Sequence, residues 1–143
     1  MNILLILISF LSFNTYAKDW KKVIVKKLPP PIAEIEINKT TLSTIEKSLG
    51  KAQLVEKEKH YYEVSGFKYG LEITYKNKKV SQYSYTFVKN RPSIVELNLK
   101  LEDFSSYNPQ NLAHAKFLHS ADSEGEIIID PVQKNVYSIK VLK

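Results

Sequence analysis

The chain has 143 residues, a formal net charge of +6, 43% hydrophobic residues and 25% charged residues. These globular proportions exclude a wholly disordered, collagenous or coiled-coil protein and fit about one domain. There is no cysteine, and the 4 glycines lie at Gly50, Gly66, Gly70 and Gly125. That excludes disulfide frameworks, thiolate metal sites, cysteine nucleophiles and glycine-rich phosphate loops.

Asn2 to Phe13 reads NILLILISFLSF and is followed by Thr15-Tyr16-Ala17 and then Lys18-Asp19. An apolar stretch of about 11 residues is roughly half of what a membrane-spanning helix needs. A short apolar run ending in small-x-Ala predicts an export signal over residues 1–17, although only the α-amino group supplies its leading positive charge. The mature chain is then expected to start at Lys18, to carry no transmembrane helix, and to reside in a bacterial periplasm or outside the cell. With no cysteine at the cleavage point, no lipid anchor is expected.

Residues 18–31 form a basic, proline-containing segment. Lys18, Lys21, Lys22, Lys26 and Lys27 stand against Asp19 alone, whereas residues 89–143 are neutral. Lys21, Lys22, Lys26 and Lys27 are therefore the candidate contacts to an anionic envelope component. Among its 21 basic residues the chain has a single arginine, Arg91, which argues against sequence-specific nucleic-acid binding. Asp19 to Lys27 reads as a short strand or extended arm. Pro29-Pro30-Pro31 predicts a stiff polyproline spacer.

Ala33 to Ile37 alternates apolar and acidic residues, as a half-buried strand does. A helix follows, with Leu42, Ile45 and Leu49 on one face, Thr40, Thr41 or Ser43 as cap, and Gly50 as its stop. Three strands are expected over Lys57–Val64, Tyr69–Tyr75 and residues 79–88, with turns at Ser65-Gly66 and Lys76–Lys78. Ser93 to Phe104 fits either periodicity. It reads as a strand to about Leu101 and then a helical turn over Glu102–Tyr107. Ala115–His119, Glu126–Asp130 and Val136–Leu142 read as further strands. The fold class is therefore α+β, with short helices on one face of an antiparallel meander, in a single domain over residues 32–143.

A gap-free shift of 56 residues superposes apolar positions of the two halves, about 32–88 and 89–143. Tyr61 falls on Phe117, Tyr62 on Leu118, Leu71 on Ile127 and Ile73 on Ile129. The last strands share one irregular pattern, Val80-x-x-Tyr83-x-Tyr85 and Val136-x-x-Ile139-x-Val141, which implies a bulge near the start of each. Two tandem helix-plus-sheet units are one reading; two independently alternating meanders are the other.

Leu42 to Gly50, a helix ending in Leu-Gly, is followed by three strands with a Gly70-Leu71-x-Ile73 hairpin strand and Val80-x-x-Tyr83. In this stretch, and loosely over 95–142, the chain resembles the β-lactamase inhibitory protein and small outer-membrane assembly lipoprotein group. The resemblance implies a helix-and-sheet fold and a habit of binding proteins on the exposed sheet face. The inhibitory protein's disulfides and the lipoproteins' acylated cysteine have no counterpart here.

Tyr61, Tyr62, Tyr69, Tyr75, Tyr83 and Tyr85 fall within 25 residues. Tyrosine suits an interface, since it covers much area with few rotamers, and it also suits a sheet interior. Tyr61, between Lys59 and Glu63, is expected to point outward, whereas Tyr69, Tyr75, Tyr83 and Tyr85 share the face of Leu71 and Ile73. Tyr61, Tyr75 and Tyr85 are the candidate partner-binding residues. His114, His119 and Asp122 form no recognised metal motif, and His60 reads as structural. No catalytic residue, metal site or cofactor is expected. Together these features describe an exported, non-enzymatic binding protein, inhibitor- or immunity-like, that covers a partner protein with its sheet face. The alternative is an envelope assembly or structural factor whose basic arm touches an anionic surface.

Overall fold

The computed structural model describes residues 20–107 and 117–143, without the side chains of Ser106 and Tyr107. The signal segment, Lys18, Asp19, His114 and the expected strand start at Ala115 lie outside the described residues. Three short helices come first: α1 (Trp20–Val25), α2 (Pro30–Ala33) and α3 (Leu42–Leu49). Four strands follow, β1 (Leu54–Glu56), β2 (Lys59–Val64), β3 (Phe67–Lys76) and β4 (Lys79–Thr86). After a 3₁₀ turn at Leu101–Asp103 come β5 (Ser105–Tyr107), β6 (Phe117–Ala121), β7 (Gly125–Asp130) and β8 (Asn135–Val141). All eight strands form one sheet in the order β1-β2-β3-β4-β8-β7-β6-β5, with antiparallel neighbours throughout. The fold is α+β, with the helices packed on one face of two joined meanders.

The basic segment is a packed helix and not an extended arm. Trp20 and Ile24 stand four residues apart, so α1 turns both onto one stripe, and both are buried in the core with Leu28 of the turn that follows. The prolines start a helix instead of spacing one. Pro29 is the N-cap residue at φ −53° and ψ 144°, and proline occupies the first positions of α2, where a missing N–H forfeits no helical bond. Ala33–Ile37 is likewise no strand, because its backbone closes on itself: Lys39 and Thr40 N–H both donate to the Glu36 carbonyl. Ile35 is still buried, so the alternation marks burial without a sheet partner.

α3 has the expected bounds. Among the three candidate caps the fold uses Thr41, whose Oγ1 accepts from Thr44 N–H at 3.2 Å, and Gly50 at φ +80° ends the helix. Leu71, Ile73, Val80 and Tyr83 on the inner sheet face and Ile45 of α3 belong to one core cluster, each at most 2% exposed.

Ser93 to Leu101 is not a strand. Ser93 makes only an isolated bridge to Asn135, and the chain then takes one helical turn in which Leu97 N–H donates to the Ser93 carbonyl. Asn98 at φ +55° stops that turn, with Leu99 N–H returning to the Ile94 carbonyl. The three-residue step from Ile94 to Leu97 buries both residues and leaves Val95 76% exposed, so helical spacing prevails over alternation. The helical turn expected over Glu102–Tyr107 shrinks to Leu101–Asp103 before β5. Strand β1 had no clear sequence signal.

The two halves share backbone geometry in detail. In the first, Val80 N–H donates to Thr40 and Leu42 N–H to Lys78; in the second, Val136 N–H donates to Pro92 and Ile94 N–H to Lys134. Ile45 N–H to Thr41 is matched by Leu97 N–H to Ser93, both at 3.1 Å. The strand bulges fall at Ser81 and Tyr137, the residues skipped by the registers of β3 with β4 and β7 with β8. The 56-residue shift holds for β4 and β8 but not before them. Ile73 faces Tyr83 and Ile127 faces Ile139, so Ile73 corresponds to Ile127, and Leu71 to Gly125. The longer loop between Asp130 and Asn135 absorbs the difference. Tyr61 and Phe117 are not at matching positions either, since Glu72 and Glu126 match and face Tyr61 and Ala121.

Candidate protein-binding face

The outer face of the sheet carries no helix among the described residues. Its middle is polar: Lys59 and Glu72 pair at 3.2 Å, and Ser84 stands opposite Lys140. One corner differs. Leu54 on β1 lies opposite Tyr61 on β2, and Tyr61 meets Tyr69 edge-to-face with ring centroids 5.4 Å apart. Phe67 continues the row at 6.1 Å from Tyr69. Phe67 and Tyr69 are 40% and 53% exposed.

Simple alternation from Leu71 and Ile73 places Tyr69 on the inner face. The structure instead sets its ring against Tyr61 of the outer face, beside an irregularity where the register of β2 with β3 shifts between the Tyr62–Leu71 and Val64–Phe67 pairs. Gly70 permits the slip, since a Cβ there would sit 2.4 Å from the Val64 Cβ. A glycine inside a strand pattern was the available signal for a bulge. Beside Tyr69 a cleft of about 250 Å³ is lined by Gln53, Leu54, Lys68 and Tyr69. The Gln53 amide at its edge donates to the Glu63 carboxylate at 3.3 Å.

Of the candidate binding tyrosines, Tyr61 is on the outer face and half-buried by its neighbours. Tyr75 and Tyr85 are corrected to core residues, 5% and 6% exposed. The inner face stays covered along β3 and β4, so these rings pack instead of rimming the core. Tyr75 Oη shares a hydrogen bond of 3.2 Å with Tyr62 Oη, and Tyr85 stacks edge-to-face on Phe87. Burial, the largest cause, pushes the Tyr75 hydroxyl far above the ordinary tyrosine range; burial alone lifts Tyr83 to about 12.

Lys22, Lys26 and Lys27 are exposed on or just after α1, and Lys21 is partly covered. Lys27 is ion-paired with Glu96, and that hydrogen bond holds the Glu96 carboxyl below its usual range. The candidate anionic contacts are thus a helical surface, with one charge already offset. His119 Nδ1 lies 3.1 Å from Glu126 Oε2, while Asp122 Oδ1 accepts from Glu124 and Gly125 N–H and shapes the β6–β7 turn. Among the described residues no three His, Cys, Asp or Glu side chains gather to hold a metal, and no helix is long and apolar enough to cross a membrane. His60 stacks against Tyr75 at 4.7 Å.

No protein-family model and no curated protein matches the sequence. Solved structures that the chain matches include the following two. One is a DUF4309 family protein (YjgB) of Bacillus subtilis, 14% identical, with a TM-score of 0.50 over 88% of this chain and 95% of that one. The other is a cysteine-rich secretory protein of Staphylococcus aureus, 12% identical, with a TM-score of 0.45 over 75% of this chain; the match spans 44% of that protein. At these identities the likeness concerns the fold alone.

Proposed function

We propose that this chain is an exported, non-enzymatic binding protein, inhibitor- or immunity-like, that covers a partner protein with the outer face of its sheet. One observation carries the reading. Leu54, Phe67 and Tyr69, three of the seven large hydrophobics exposed among the described residues, gather with Tyr61 at one corner of that face. Scattered exposed apolar residues are ordinary, but a contiguous aromatic patch beside polar surface is the mark of an interaction site. Export rests on the Asn2–Ala17 signal pattern. The matching geometry of residues 40–86 and 92–141 supports reading them as repeats of one unit. The test is affinity capture by the mature protein from envelope extract, repeated with Tyr61→Ala and Tyr69→Ala. A stoichiometric, salt-tolerant partner released by these substitutions is the expected result; unchanged capture by both variants rejects the reading.

The exposed Lys22 and Lys26, with Val23 between them 39% exposed, favour a second reading, an envelope assembly or structural factor held on an anionic surface through α1. Charge attraction of that kind is screened by salt. Sedimentation with envelope that salt abolishes, and that Lys22→Glu with Lys26→Glu abolishes too, is its expected signature.

A further inference from the structure

We infer that the corner formed by β1 and the β2–β3 hairpin receives an extended peptide segment of the partner, added as a ninth strand along β1; this rests on the protein-binding reading above. Comparison of the halves isolates the feature. Glu72 faces Tyr61 and Glu126 faces Ala121 at matching places in the two meanders. Beyond those pairs the β6–β7 hairpin closes with the four residues 122–125, whereas the β2–β3 hairpin runs on for the ten residues 62–71. The shared architecture closes without the extra six residues. In the longer hairpin the chain places Phe67 and Tyr69, together with Gly70 at the register shift where Tyr69 meets Tyr61.

The neighbouring strand indicates what this surface takes. β1 is an edge of the sheet with no further strand beside it among the described residues, and all three of its residues are exposed. In an antiparallel pair the backbone groups of successive residues point alternately toward and away from the neighbour. The turn at Lys57-Glu58 closes the Glu56–Lys59 pair, so Glu56 and Leu54 face β2 and Val55 directs its N–H and C=O outward. Beside this outward-directed group lies the cleft of Gln53, Leu54, Lys68 and Tyr69, about 250 Å³, ample for a large apolar side chain. An open edge gives backbone hydrogen bonds and an adjoining pocket selects alternate side chains, which is the pattern of strand addition. Lys68 at the pocket wall favours an acidic neighbour to the apolar side chain. A neutral glycan would use the rings but not the edge.

The probe is an array of random ten-residue peptides, read with the labelled mature protein. Bound peptides are expected to carry apolar residues at alternate positions with an acidic residue beside them. Tyr69→Ala and Val55→Pro should each weaken binding more than tenfold at an unchanged melting temperature; proline at an edge position removes the N–H without breaking a ladder bond. A readout that needs no variant is N-methylation along a bound peptide, which should abolish binding at every second residue. Methylation without that period, binding equal in Val55→Pro and wild type, or the absence of bound peptides overturns the inference. If Tyr69→Ala alone releases the captured partner, the outer-face reading stands and strand addition falls. A dimer of the protein that Val55→Pro dissociates makes a second copy the occupant and also overturns it.

Discussion

Ser84 and Lys140 stand directly opposite each other across the β4–β8 seam, and they are also the residues that a 56-residue shift superposes. Tyr83 likewise faces Val141 while matching Ile139, and Tyr85 faces Ile139 while matching Val141. Such crossed pairing is what an approximate two-fold axis through the seam, normal to the sheet, requires. The seam joins the two meanders into one eight-stranded sheet and gives both halves a common core.

Matching core positions should carry matching weight. Ile73 and Ile127 are both fully buried on the inner face. Ile73→Ala and Ile127→Ala are each expected to cost about 2–4 kcal/mol. Denaturant melts check this, and a loss below about 0.5 kcal/mol at either would show that half to be poorly packed.

Gly125 occupies the place where the first half has Leu71. A Cβ there would lie 2.1 Å from the Lys140 carbonyl oxygen and 3.4 Å from the Trp20 ring, so Trp20 covers the position from above. Gly125→Ala is expected to destabilise the protein by about 3 kcal/mol or more, because the clash is with backbone and a rigid strand must move. Gly70→Ala meets Val64 at its Cβ, 2.4 Å away, and at its backbone nitrogen, 3.0 Å away, and should also cost about 3 kcal/mol. Thermal melts should show a loss in both variants, and an unchanged melting temperature in either would show that the strand yields there.

Tyr61 and Tyr75 should respond in opposite ways. Tyr75→Ala empties a buried site and breaks the bond to Tyr62, so a loss of about 3–5 kcal/mol is expected. Tyr61→Ala removes an outer-face ring stacked on Tyr69 and should cost less than about 1.5 kcal/mol of stability. Its effect belongs in partner affinity, with a loss of several-fold or more.

The buried tyrosines make the fold sensitive to alkali. Tyr83 is held protonated up to about 12 by burial, while in the unfolded chain it ionises near its ordinary value of 10.0. Its folded pKa is raised, so its contribution is fully present below pH 10 and is lost as pH rises from there toward 12. A fall in melting temperature over that window is expected, shallower in Tyr83→Phe, which cannot ionise. An identical fall in the variant would assign the loss to other groups.

Cleavage is expected after Ala17. N-terminal sequencing of protein recovered from periplasm or medium should begin at Lys18. Recovery only as full-length, detergent-extracted protein would reject export.

Local patterns in the sequence were sufficient for α3, the β2–β3–β4 meander, β7 and β8. Each has its own punctuation, with Thr41 and Gly50 bounding the helix and Asn77 and Lys78, both at positive φ, making the β3–β4 turn. The inner face of Leu71 and Ile73 was legible for the same reason, since alternation is a property of one strand. Tertiary structure decided the rest. Asp19–Lys27 reads as a strand or arm in isolation, yet Trp20 and Ile24 belong to a core whose other members lie far along the chain. Ala33–Ile37 alternates without a strand beside it, and Ser93–Leu101 had two periodicities between which only burial of Ile94 and Leu97 could choose. Tyr75 and Tyr85 share their strand face with core residues, and how far a core extends is a matter of what packs over it. Tyr69 meets Tyr61 of the outer face beside the register shift at Gly70, and register is fixed between strands, not within one.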